Sequence, residues 1–120
     1  MQRILLVEDQ PDNRQILRDL LGNAGYDLVE AGDGMAAVVR AMADKPDLIL
    51  MDIQLPGIDG LETTKRIRQS DDISHIPIIA ITSYAMAGDR ERLIEAGCTG
   101  YIEKPINPET IMGEIAAYLK

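Results

Sequence analysis

The sequence predicts an α/β protein in which a parallel sheet carries helices on both faces. Short apolar runs alternate with stretches of helical periodicity along all 120 residues. Gly or Pro punctuates nearly every change of pattern. The apolar runs are nearly continuous rather than alternating, which suits strands buried on both sides. The length gives one domain, residues 1–120, with a real core but no room for a second.

The elements follow in order. Arg3 to Val7 (RILLV) reads as a buried strand. Pro11 to Ala24 places Ile16, Leu17, Leu20 and Leu21 at helical spacing, and Asn23-Ala24-Gly25 offers a stop. Asp27 to Ala31 is a shorter strand. Asp33-Gly34 opens a helix bearing Ala37, Val38, Ala41 and Met42, which Lys45-Pro46 ends because the residue before proline avoids the helical region. Leu48 to Met51 is the third strand. After the Pro56-Gly57 turn, Asp59 caps a helix with Leu61, Thr64, Lys65 and Ile67. Pro77 precedes a strand from Ile78 to Ile81, and a helix runs from Ala87 to Ala96 with Gly97 as its stop. Gly100 to Glu103 is the fifth strand, and Asn107-Pro108 caps a last helix ending near Leu119.

Composition narrows the function. Twelve Lys+Arg against 20 Asp+Glu leave a net charge of -8, which repels a phosphate backbone and argues against direct nucleic-acid binding. No apolar run approaches the ~18 to 20 residues of a membrane span. The lone Cys98 cannot form an internal disulfide, and MQRILLVEDQ lacks the apolar stretch of a signal peptide, so a cytoplasmic setting is expected.

In such a sheet, chemistry belongs beyond the carboxyl ends of the strands. There the sequence puts Glu8-Asp9, Asp52, Thr82-Ser83 and Glu103-Lys104-Pro105. A single polar residue at a strand end needs no function, since strand ends meet solvent. Several acids together repel one another unless a cation compensates. Hard oxygen ligands without Cys or His point to Mg²⁺, and phosphate chemistry is its usual companion. Lys104 offers a positive charge and Thr82 a donor for phosphoryl oxygens, while an ionised Asp can serve as nucleophile.

VEDQPDN from Val7 to Asn13, LILMDIQLPGIDG from Leu48 to Gly60, AITSYAM from Ala80 to Met86 and GYIEKPI from Gly100 to Ile106 together resemble the receiver domains of two-component response regulators. The resemblance spans the chain. It implies a doubly wound, five-stranded (βα)5 fold of the flavodoxin-like, CheY-like kind, with sheet order 2-1-3-4-5. It implies that Asp52 is the phosphoacceptor and that Glu8, Asp9, Asp52 and the main-chain carbonyl of Gln54 hold Mg²⁺, with Mn²⁺ able to substitute. It further implies that Lys104 binds the phosphoryl group, that Thr82 and Tyr101 form a switch pair, and that Lys104–Pro105 is cis. The phosphoryl donor would be a sensor histidine kinase or a histidine phosphotransfer protein. The output would be a downstream protein meeting the face of helix 4, strand 5 and helix 5, by a monomer or a phosphorylation-dependent dimer. The chain would then be a switch that catalyses its own phosphorylation and slow dephosphorylation rather than a conventional enzyme. Stand-alone receivers of the DivK type and receivers of hybrid kinases are the nearest patterns.

Gln54 lies two residues beyond the acceptor and Tyr84 two beyond Thr82, so both are expected to overhang the acyl phosphate and tune its lifetime. A metal-dependent phosphohydrolase is the competing class; it commonly needs a second acid two residues after its nucleophile, where this chain has Gln54. A flavin or nucleotide carrier would want a Gly- or Ser/Thr-rich loop after strand 1 rather than Glu8-Asp9-Gln10-Pro11. His75 reads as a surface residue, Cys98 as a small packing residue or plain thiol, and Met35, Met42, Met86 and Met112 as packing groups. Asp89 to Arg92 reads as a solvated helix face.

Overall fold

A computed structural model gives the fold and describes residues 2–83 and 87–119. Five strands, β1 (Arg3–Val7), β2 (Asp27–Ala31), β3 (Leu48–Asp52), β4 (Ile78–Thr82) and β5 (Gly100–Glu103), alternate with five helices. The helices are α1 (Pro11–Asn23), α2 (Gly34–Asp44), α3 (Gly60–Arg68), α4 (Ala87–Ala96) and α5 (Pro108–Tyr118). All strand pairs are parallel and the order is β2-β1-β3-β4-β5, as the resemblance implied.

The two-residue period of the strands divides the core into two layers. Leu5, Val7, Ile49, Met51, Ile78 and Ala80 face Ala37 and Ala41 of α2, Ile67 of α3 and Leu93 of α4. Their neighbours Ile4, Leu6, Leu48, Leu50, Ile79 and Ile81 face Leu17 and Leu21 of α1 and Ile111 and Ile115 of α5. Strands β3 and β4 are buried along their whole length, which the unbroken apolar runs required.

Helix starts follow the expected caps. The Asp33 carboxylate accepts from Ala36 N–H at 2.8 Å, that of Asp59 from Glu62 N–H at 2.9 Å, and the Asn107 side chain from Glu109 N–H at 2.9 Å. Lys45, kept out of the right-handed region by Pro46, closes α2 in the left-handed region at φ 45°.

Several boundaries and faces differ from the sequence reading. Helix α1 ends at Asn23, with Ala24 as its cap. Strands β3 and β4 each run one residue further, to Asp52 and Thr82, because the ladder to the next strand continues: Asp52 pairs with Ile81 and Thr82 with Glu103. Met35 and Met42 do not pack inside; both are exposed, on the outer side of a helix whose Ala37 and Ala41 carry the buried contact. Ile16 is likewise exposed, because α1 buries Leu17 and Leu21 instead. Met112 and Cys98 do pack, and His75 is exposed. Met86 lies outside the described residues.

Candidate functional site

Three acids meet at the carboxyl edge of the sheet. Asp52 closes the central strand and is 1% exposed; Glu8, the first residue past β1, is also 1% exposed. Both follow a residue of the α2–α3–α4 layer, so alternation turns them to the opposite side. One ligand atom each from Glu8, Asp9 and Asp52 lie within 4.8 Å of one another.

Asp52 has little freedom. Its Oδ1 accepts from the Gln54 backbone N–H at 3.0 Å and from Lys104 Nζ at 3.2 Å. Ile53 N–H donates to Ile81 C=O at 3.2 Å, and Gly60 N–H donates back to Ile53 C=O at 3.0 Å, so the loop after β3 folds onto the strand end. A Cβ on Gly60 would lie 2.6 Å from the Asp52 carbonyl oxygen and 2.7 Å from Ile53 Cα, so only glycine allows α3 to start this close.

Lys104 is fixed from its own main chain, its N–H donating to Thr82 C=O at 2.8 Å, and its peptide bond to Pro105 is cis. Thr82 is 2% exposed at the end of β4. Ala80 pairs with Tyr101 and Thr82 with Glu103, so Thr82 and Tyr101 share the α2–α3–α4 side of the sheet. Tyr101 is half-buried, and the Arg90 guanidinium stands 5.3 Å from its ring centroid.

Glu8 is the electrostatic anomaly. Its Oε1 accepts from Gln10 N–H and from Asn13 Nδ2, each at 3.3 Å. Burial, then a hydrogen bond with Asp52 and repulsion from its charge, push the Glu8 carboxyl up from the ordinary 4.5 to about 7, against the pull of Lys104 and Asn13. Without a cation, the Glu8 carboxyl therefore holds its proton more tightly than an ordinary carboxyl does. Asp9 Oδ1 is buried without a hydrogen-bond partner among the described residues. Such an orphaned oxygen is costly in a native site unless something binds it. A set of hard oxygen donors with an unsatisfied member fits a divalent cation of the Mg²⁺ type.

Gln54 is exposed, with its main chain held against Asp52; Tyr84 lies outside the described residues. Asn13 and Arg14 were missed as site residues. Asn13 stands inside the VEDQPDN motif, and its amide donates to Glu8 from the first turn of α1. The Arg14 guanidinium binds the main-chain carbonyl of Glu8, which no side-chain pattern announces.

Fold and site together define an open, doubly wound α/β sheet with an acid-and-lysine cluster at its carboxyl edge. Comparison gives the family: residues 4–116 match the response regulator receiver domain, and the chain belongs to it, a signalling module of two-component systems. The polar-differentiation response regulator DivK of Brucella anthropi is 44% identical over 116 residues, covering 97% of this chain and 94% of that protein. The chemotaxis response regulator CheY4 of Vibrio cholerae superposes with a TM-score of 0.94 at 30% identity, covering 99% of both chains. The receiver domain of a Pseudomonas aeruginosa sensor histidine kinase, solved with magnesium in its active-site cleft, gives a TM-score of 0.91 at 37% identity, covering 98% of this chain and 97% of that one.

Proposed function

We propose that this receiver is a cytoplasmic phosphorylation switch whose acceptor is Asp52. The observation that carries the reading is the pinning of one Asp52 oxygen by Gln54 N–H and Lys104 Nζ inside an acid cluster with an orphaned Asp9 oxygen. A carboxylate so restrained is close to a single reactive orientation, which lowers the entropic part of the barrier. Glu8, Asp9, Asp52 and the Gln54 carbonyl would hold Mg²⁺, for which Mn²⁺ substitutes. When bound, the ion supplies positive charge that offsets nucleophile and phosphate.

Asp52 attacks the phosphorus of a phosphohistidine on a kinase or phosphotransfer protein. An O–P bond forms in line as the N–P bond breaks, and the leaving imidazole takes up a proton. Lys104 follows the phosphoryl oxygens and binds them. Thr82 donates to the same oxygens and moves inward, and Tyr101, on the same side of the sheet, fills the space it leaves. The surface of α4, β5 and α5 repacks and becomes the contact for a downstream protein; phosphorylation shifts this equilibrium only by its preference for the repacked state. Gln54 and Tyr84 tune how long the acyl phosphate survives.

Incubation with acetyl phosphate and Mg²⁺ tests the reading. A stoichiometric, hydroxylamine-labile adduct that needs Mg²⁺ is expected. Many rapid turnovers of phosphate release without an adduct would instead make the protein a hydrolase.

A further inference from the structure

We infer that Arg14 is a positioning residue for the acid pair Glu8–Asp9, setting their cation affinity through the peptide bond that joins them; this rests on the cation-site reading above. Glu8 lies just past the last residue of β1, where ladder hydrogen bonding ends. Its N–H is still held, donating to Ala31 C=O at 3.1 Å. Its carbonyl has passed out of the sheet and accepts instead from the Arg14 guanidinium, Nη2 at 2.6 Å and Nε at 3.1 Å. One planar group thus makes two bonds to one carbonyl oxygen, which fixes the Glu8–Asp9 peptide plane and the directions in which both side chains leave it.

The guanidinium is itself located from behind. Arg14 Nε lies 3.8 Å from Glu30 Oε1, and Arg18 holds both Glu30 oxygens, at 2.8 and 3.0 Å. A Cβ on Gly32 would stand 3.0 Å from Arg14 Nη2, closer than most such contacts, so the glycine leaves the guanidinium room. Arg14 touches no carboxylate of the cluster in these contacts; it works through the backbone. Groups that orient metal ligands from the next layer out change metal affinity by roughly 10–100-fold when removed.

The sign of the effect separates positioning from charge. Arg14 is a cation near a cation site, so if it acted only through charge its removal would tighten Mg²⁺ binding. If it positions the acids, removal weakens binding. Mg²⁺ titrations of the full chain followed by amide chemical shifts, with thermal unfolding of the metal-free proteins alongside, give the test. Arg14→Ala is expected to weaken Mg²⁺ affinity about tenfold or more. Gly32→Ala, which keeps the charge and crowds the guanidinium, is expected to weaken it by a smaller factor, and Arg14→Lys to recover part of the loss. Should Arg14→Ala fail to fold, Arg14→Lys, which keeps the charge and loses the two-pronged hold on the Glu8 carbonyl, carries the test, with binding weaker than wild type expected. Equal or tighter Mg²⁺ binding in the variants, with normal binding in the wild type, would overturn the role of Arg14. Absence of Mg²⁺ binding in the wild type would overturn the site reading beneath it.

Discussion

At the scale of single residues, the acids are held in an arrangement that is expensive without a cation. Glu8 shows the cost: its carboxyl is pushed up to about 7 by burial and by Asp52. The native state therefore binds a proton more readily than the unfolded chain between 4.5 and about 7, and through this group metal-free stability falls as pH rises across that window. A cation must displace the same proton. Below pH 7, Mg²⁺ binding is expected to release a proton and to weaken about tenfold per pH unit, levelling off above it. Calorimetric titration in buffers of different ionisation enthalpy reads the proton directly; pH-independent binding between pH 5 and 7 would show that no such proton is displaced. Glu8, Asp9, Asp52, Thr82 and Lys104 were legible as candidates because each ends or follows an apolar run. The raised affinity of Glu8 for a proton, the orphaned Asp9 oxygen and the hold of Arg14 on a main-chain carbonyl were not, since all three depend on distances between residues that sequence spacing does not fix.

At the scale of elements, the site is precise because strand ends and helix starts are tied to each other. Gly60 is the tightest of these ties, with its missing Cβ facing the Asp52 carbonyl at 2.6 Å. Gly60→Ala is expected to force α3 away from β3 and cost roughly 1–3 kcal/mol, as overpacking does. Urea unfolding measures the loss and acetyl phosphate labelling the accompanying slowing; an unchanged midpoint would show that α3 yields at no cost. Element order and type were readable because period and punctuation agree along the chain. The ends of β3 and β4 were harder to place: polar Asp52 and Thr82 look like loop residues, yet they stay in the ladder because a neighbouring strand still offers a partner. Faces misled in two helices. In α2 the small residues Ala37 and Ala41 take the inner side and leave Met35, Val39 and Met42 outside, a choice that hydrophobicity alone cannot predict.

At the scale of the whole molecule, the two-layer core buries the central strand between β1 and β4 and places Asp52 at its rim. Among the described residues no helix is long and apolar enough to cross a membrane, and the net charge of -8 disfavours nucleic acid as a partner. A groove of about 600 Å³ along α4, β5 and α5, lined by Ile94, Tyr101, Glu103 and Tyr118 among others, lies where the proposed output contact would form. Sheet order was not determined by the alternation of elements, because strands joined by crossovers can be added to either edge; the motif resemblance supplied it. Acceptance of the phosphoryl group by Asp52 can be read out directly. Borohydride reduction of the acetyl phosphate-labelled protein converts a phosphorylated aspartate to homoserine, and peptide mass spectrometry then locates it. Homoserine is expected at position 52 alone, with no labelling of Asp52→Asn; homoserine at Asp9, or undiminished labelling of the variant, would show that Asp52 is not the acceptor.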